Sequence, residues 1–245
     1  MYFKFNGRDS KQWGYDLTSS LIIEKLDNIE GEELKVSEKY KEKFIRIKKV
    51  NKITGETVKF SKLEIDTINS WLFEEDYKCL EVGLYCYNAI FKRRKFMWTE
   101  NNGYIDLIVR LYNNALSSKM IDQVVVNRGE KTININNKSN IRGLKLETEL
   151  GVKLKDENVT KVIIENITSG KITKFEGLEM FDNIYVNSKN EYIKSNDKNI
   201  YSKFNGTYLT LLEGINEIKI SSNGFTKIII CYRQEFNLEE VWLNE

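Results

Sequence analysis

Several groups of side chains in this 245-residue sequence are of types that could do chemistry. Glu74, Glu75 and Asp76 are adjacent carboxylates, the raw material of acid–base glycoside hydrolysis. Lys92-Arg93-Arg94-Lys95, with aromatics nearby, has the charge density that suits a phosphate backbone. Cys79, Cys86 and Cys231 are soft ligands and nucleophiles. Phe175, Tyr185, Tyr192 and Tyr201, set among asparagines, could stack on a saccharide ring.

Each group also has a plainer reading, and the chain has no histidine to supply a base or an imidazole ligand. That removes Ser-His-Asp and Cys-His pairs and the common zinc sites together. Carboxylate-only glycosidases and Ser-Lys enzymes survive the exclusion, but no motif supports either. The acidic trio follows a helix and reads as its solvated end. An odd number of cysteines without CxxC spacing reads as small apolar strand residues. A net charge of only +2 gives no global pull toward nucleic acid, so the basic run reads as a solvated strand middle or a charged subunit contact. The expectation is therefore no catalytic residue, no metal, no cofactor and no enzyme.

The elements that would position these groups are mostly strands. Hydrophobic residues at 41% and aromatics at 12% are enough to build buried cores. No apolar run approaches the roughly 18 residues of a membrane span, Ile228 to Cys231 with its neighbours being the longest strong one. Met1 to Gly7 lacks the pattern of a signal peptide, which predicts folding in a cytoplasm and no membrane partner.

In the first half, Tyr2 to Phe5 alternates and runs into the turn-like Asn6-Gly7-Arg8-Asp9. A strand is predicted around Leu21 to Leu26, and residues 28–43 read as a charged loop or exposed ribbon. Phe44 to Val50 and Thr57 to Phe60 flank a hairpin connection containing Thr54-Gly55. Ser61 and Glu64 have capping-box spacing and open a helix over Lys62 to Phe73, with Leu63, Ile65, Ile68, Trp71 and Leu72 as its apolar stripe. Tyr85 to Trp98 is a long segment with a basic centre. Tyr104 to Tyr112 alternates most cleanly, with Ile105, Leu107, Val109 and Leu111 on one face and Asp106, Ile108 and Arg110 on the other.

From about residue 117 the helical spacing disappears. Short β-type runs follow at 120–126, 131–135, 144–150, 161–167, 171–175, 183–186, 207–212, 215–220 and 226–233, separated by Asn- and Gly-rich turns. That pattern predicts a β-sandwich. The boundary falls near Leu116 to Lys119, giving domains over 1–117 and 118–245.

The order of these elements resembles the distal tail proteins of phages that infect Gram-positive bacteria. Phe5-Asn6-Gly7-Arg8-Asp9-Ser10, followed by Trp13-Gly14, is similar to that family's opening strand and turn. Trp71-Leu72 and then Lys78-Cys79-Leu80 resemble its helix and next strand. Asn183 to Ile193, Asn205-Gly206-Thr207-Tyr208-Leu209, Leu212-Glu213-Gly214-Ile215-Asn216 and Ile228 to Phe236, with Tyr232-Arg233, resemble its final strands. The chain departs from the family in having no proline, where relatives often carry prolines in early loops.

The resemblance implies a mainly β protein: an N-terminal sandwich or barrel-like ring domain with one α-helix, then a C-terminal galectin-like β-sandwich. It implies a homohexameric ring at the virion tail tip, assembled in the host cytoplasm. The implied partners are the tail tube protein, a tape measure or tail hub (tail-associated lysin) protein, and a receptor-binding protein. Within such a ring, Phe44, Ile45, Ile47 and Val50 are expected at the contact between subunits, because residues 28–50 are too polar for a core. Arg93 and Arg94 are expected to face solvent or to pair across subunits with the acidic residues Glu30 to Glu33. Two rival readings stand beside this one: a carbohydrate-binding β-sandwich module for attachment to a host surface, and a carboxylate-driven wall hydrolase.

Overall fold

The structure, a computed structural model, describes residues 1–13, 17–29, 33–35, 37, 39–92, 103–179, 182–196 and 198–243. The chain divides into two compact units, Met1–Leu116 with Asn237–Glu245, and Ser117–Phe236. The sequence reading gave the last residues to the second domain; they belong to the first. The reason is burial. Trp242 is enclosed with its ring edge-on to Tyr87 at 5.1 Å, and the Tyr87 hydroxyl donates to the Val241 carbonyl over 3.1 Å.

The first unit is a curled sheet with one helix. Its strands are β1 (Phe3–Phe5), β2 (Arg8–Asp9), β3 (Ser19–Leu26), β4 (Tyr40–Asn51), β5 (Lys78–Val82), β6 (Tyr85–Lys92) and β7 (Tyr104–Ser117). They lie in the order β2-β1-β5-β6-β7-β4-β3. Asn6 and Gly7 both take positive φ (49° and 77°), which sets the tight primed turn that folds β2 back on β1. At the far edge Met1 and Ile23 exchange backbone hydrogen bonds of 2.9 and 2.8 Å, so β3 meets the start of β1 and the sheet nearly closes on itself. Closure of this kind leaves fewer bare strand edges.

Helix α1 (Lys62–Leu72) opens where its capping box predicts. The Glu64 N–H donates to Ser61 Oγ over 3.3 Å, and the Ser61 N–H donates to Glu64 Oε2 over 2.8 Å. Ile68, Trp71 and Leu72 are buried as expected, but Leu63 is 58% exposed. Leu63 sits in the first turn, ahead of the stretch that packs on the sheet. Trp71 does the anchoring: it stacks on Phe3 and Trp13, and its indole N–H donates to the Phe5 carbonyl over 2.9 Å. Glu64 also accepts from the buried Lys49 ammonium of β4 at 2.8 Å, tying the helix start to the sheet. Thr57 to Phe60, read as the second arm of a hairpin, makes only a single bridge, Val50 to Thr57.

The second unit is a seven-stranded curled sheet and a separate two-stranded one, around one apolar cluster that includes Leu150, Val152, Ile164, Phe175, Ile184, Ile220 and Ile228. Its strands are β8 (Met120–Asn137), β9 (Leu146–Glu147), β10 (Glu149–Leu154), β11 (Lys161–Asn166), β12 (Lys171–Glu176), β13 (Asn183–Asn187), β14 (Tyr192–Ser195), β15 (Thr210–Leu211) and β16 (Gly214–Tyr232). β16 runs 19 residues and β8 18, and they pair antiparallel over almost their whole length. On its other side β16 pairs first with β11 (Ile218–Ser222) and then with β10 (Thr226–Cys231).

The runs read from the sequence as separate strands at 120–126 and 131–135, and at 215–220 and 226–233, are thus halves of two long ones. The Gly-containing stretches between them are a bulge inside the ribbon rather than turns. Arg128 (φ 44°) and Gly129 (φ 126°) lie opposite the register shift between Ser222 and Phe225. Burial alternates without a break along β16 through this point. At the bulge a Cβ on Gly224 would lie 2.7 Å from Val159 Cγ2, so only glycine fits there without displacement.

Candidate assembly surface

β4 and β7 pair with Phe44 directly opposite Ile108, Glu42 opposite Arg110, and Arg46 opposite Asp106. Side chains at these positions share the sheet face that points away from Ile45, Ile47, Leu107 and Val109, all of which are buried on the inner face. On this outer face Arg46 forms a two-pronged pair with Asp106, Nε to Oδ1 at 2.6 Å and an η nitrogen to Oδ2 at 2.8 Å. Its guanidinium lies 3.9 Å from the Tyr104 ring centre. Arg110 donates to Glu42 Oε1 through Nε and an η nitrogen at 3.0 and 2.8 Å, and lies 3.9 Å from the Tyr40 ring centre. Stacking on an aromatic face and a forked contact to carboxylate are both geometries that suit arginine better than lysine.

Glu42 carries more than one partner. Lys92 also donates to Oε1 at 2.7 Å, and the Lys35 N–H donates to Oε2 at 2.9 Å. The Glu42 side chain is 2% exposed, and burial alone would push its carboxyl up. The bonds from Lys92, Lys35 and Arg110 outweigh that and hold it below the usual carboxylate range. A carboxylate so held stays ionised near neutral pH and does not serve as a general acid. Among the described residues two cations, Lys92 and Arg110, face this one carboxylate.

Between the two arginine pairs lies a small apolar cluster of Phe44, Ile108 and Ile29, with Leu26 and Leu34 packed against it. It corrects the interface expectation. Ile45 and Ile47 are fully buried on the inner face, and Phe44 is covered by the chain's own Leu26, Ile29 and Leu34. Val50 is buried as well. Their apolar surface is used within the chain itself. What the outer face does present is the charged and aromatic ladder around them. Arg93 and Arg94 lie outside the described residues, as do Lys95 and Glu30 to Glu32; Glu33 is exposed.

The ladder itself was not picked out from the sequence, although a signal exists. Tyr40-Lys41-Glu42-Lys43-Phe44-Ile45-Arg46 and Tyr104-Ile105-Asp106-Leu107-Ile108-Val109-Arg110 share the pattern Tyr, acid, apolar, Arg at alternate positions. Two strands with that pattern can pair antiparallel about the apolar residue and satisfy both arginines.

The remaining candidates are scattered. Glu75 and Asp76 are exposed, and Glu74 accepts from the Asn6 side chain over 3.1 Å. Cys79, Cys86 and Cys231 are half-buried on β5, β6 and β16. Phe175 is fully buried and stacked on Phe204, so it cannot meet a saccharide. Tyr192 and Tyr201 are exposed. No helix of the described residues is long and apolar enough to cross a membrane.

No family model matches the chain, and no curated protein matches it. The fold is similar to a crystal structure of the SPP1 Dit protein, described there as a paradigm of the hub adsorption apparatus in phages that infect Gram-positive bacteria. The TM-score is 0.54 at 11% sequence identity, over 95% of this chain and 98% of that one. The likeness is one of fold.

Proposed function

We propose that this chain is a structural subunit of a phage-type tail tip, a distal tail protein whose copies form a homohexameric ring joining the tail tube to baseplate and receptor-binding components. The observation that carries this reading is the extent of the fold likeness, which takes in 95% of the chain across both units and nearly all of the tail-hub protein it is compared with. In this reading the chain is not an enzyme and needs no cofactor. Its partners are further copies of itself, the tail tube protein, a tape measure or hub protein and a receptor-binding protein. It acts in the virion after assembly in the host cytoplasm.

The outer face of β4 and β7 supplies a surface of the right kind for such a role. Assembly contacts commonly combine fixed aromatic and arginine side chains with a charged rim. Arg46, Tyr104, Arg110 and Tyr40 are held in place by pairing and stacking before any partner arrives, which lowers the entropy lost on association. Purified full-length chain viewed by negative-stain electron microscopy should give closed rings with a central channel. Single particles at every concentration would sink the proposal, and clearing of cell-wall substrate in a gel would refute its non-enzymatic part.

A second reading, saccharide binding by the second unit, is favoured by one observation. Tyr185 and Asn187 on β13 share a face with Tyr192 and Lys194 on β14, Asn187 standing directly opposite Tyr192. A stacking ring beside an amide is the chemistry of a sugar subsite. A glycan array distinguishes it: saturable binding lost in Tyr192→Ala supports this reading, and an empty array dismisses it.

A further inference from the structure

The second unit treats its strand edges unequally. The edge of β12 is occupied: the Asn205 N–H donates to the Lys174 carbonyl, the Lys174 N–H donates to Asn205 Oδ1, and Asn205 Nδ2 donates to the Ile172 carbonyl. One asparagine thus stands in for a neighbouring strand. The edge of β14 is only four residues long and ends in a bridge between Ser195 and Lys198. β8, by contrast, runs 18 residues with β16 as its only strand partner among the described residues.

The two halves of β8 differ as well. Beyond Asn127 the edge is broken by Arg128 and Gly129 at positive φ and then carries Glu130 and Lys131. Bulges and charges of this kind are how proteins keep edges from pairing. Before Arg128 there is no bulge, and Gln123-Val124-Val125-Val126-Asn127 is uncharged; the one charge in the stretch, Asp122, sits on the other, half-buried face of the strand. Ile121 and Val125, 56% and 44% exposed, project from the same outward face with Gln123 between them. A bare, flat, apolar edge is a template for another strand.

We infer that β8 pairs antiparallel, over Met120–Val126, with the same strand of a second copy of this chain, in the register that sets Gln123 opposite its own equivalent. The stretch is self-complementary in that register. Ile121 of each copy faces Val125 of the other on the outward side, so both exposed apolar side chains are covered twice by one symmetry operation. The two glutamine side chains meet at the centre, where they can exchange amide hydrogen bonds, and no like charges stand directly opposite, the two Asp122 side chains being diagonal neighbours on the other face. Such a contact is isologous and closes on two copies, unlike the head-to-tail contact that builds a ring. It therefore stands or falls independently of the ring proposed above.

The test is a cross-link read by position in the full-length chain. Cys231, directly across from Ile121, and the other two free cysteines, Cys79 and Cys86, are first replaced by serine to prevent scrambling. Gln123→Cys should then give a covalent dimer on mild oxidation, because the two sulfurs meet at the symmetry axis. Asn127→Cys should not, since the register separates its two copies by about 27 Å. Val125→Lys places two charges in one seam and should raise the concentration at which pairs dissociate by about tenfold or more. Thr132→Lys, beyond the bulge, should leave it unchanged. Failure of Gln123→Cys to cross-link, cross-linking through Asn127→Cys, or indifference to Val125→Lys would each overturn the inference.

Discussion

Arg46 and Arg110 occupy equivalent places in one antiparallel ladder. Each faces a carboxylate directly across the strand pair, Asp106 and Glu42, and each lies 3.9 Å over the tyrosine two residues before that carboxylate. A local twofold axis through the Phe44–Ile108 pair exchanges them. They are not equally enclosed, however. Glu42 is 2% exposed and Asp106 16%, so the pairs should respond differently to the same substitution.

Replacing Arg110 by alanine leaves the enclosed Glu42 with Lys92 as its remaining side-chain cation. We expect a loss of about 2–3 kcal/mol in urea unfolding, less than the full value for a buried pair because Arg110 is partly solvated. Arg46→Ala should cost about 1–2 kcal/mol, since Asp106 can be rehydrated. Lysine at either position should recover less than half, lacking both the fork and the stacked plane. Equal losses at the two sites would show that enclosure of the acid is not what matters.

Acid should destabilise the first unit through Glu42 and Glu64. Both carboxyls titrate below their usual range, burial raising each and the hydrogen bonds from Lys92, Lys35 and Arg110, or from Lys49 and Ser61, more than reversing it. The folded chain therefore binds fewer protons than the unfolded one across that window. Stability is complete above the ordinary carboxylate range and falls as pH drops through the lowered values. Unfolding midpoints measured against pH should show this slope, and Glu42→Gln with Glu64→Gln should flatten it. An unchanged slope in the double variant would place the acid sensitivity elsewhere.

Glu64 does two jobs at the start of α1, and they can be separated. Ser61→Ala removes the cap alone and should cost about 1 kcal/mol. Glu64→Ala removes the return half of the capping box and also strands the buried Lys49 ammonium, so it should cost about 2–4 kcal/mol. Pairing it with Lys49→Met should recover part of that loss. If the two single substitutions cost the same, the Lys49 contact adds nothing.

Gly224→Ala should destabilise the second unit by about 1–3 kcal/mol through the clash with Val159. Relieving that neighbour with Val159→Ala in the same chain should make the Gly224 substitution less costly than it is alone. Additive losses would mean that Val159 is not the neighbour that excludes a side chain, the next nearest being Asp156 Oδ2 at 3.1 Å.

What could be read from the sequence follows from how local each signal is. The capping box of Ser61 and Glu64 and the alternation of Ile105, Leu107, Val109 and Leu111 are complete within a few residues, and both appear in the fold. The stretches around Gly129 and Gly224 looked like turns because a bulge uses the same residue, Gly129 for its positive φ and Gly224 for its close approach to Val159; only the partner strand tells bulge from turn. Phe44, Ile45, Ile47 and Val50 looked like interface residues because residues 28–50 read as too polar for a core. Here the outer face of β4 has a small core of its own, supplied by Ile29 and Leu34 from the charged stretch that follows β3. The ladder depends on pairs 60 and 68 positions apart, which no local window contains.

The central claim, that copies of this chain build the ring of a tail tip, is tested most directly by the mass and symmetry of the purified full-length chain. Native mass spectrometry should give a hexamer or a multiple of one, and class averages of the same sample should show a closed ring with a channel along its axis. A population of single chains and simple pairs, with no closed ring at any concentration or salt, would contradict it.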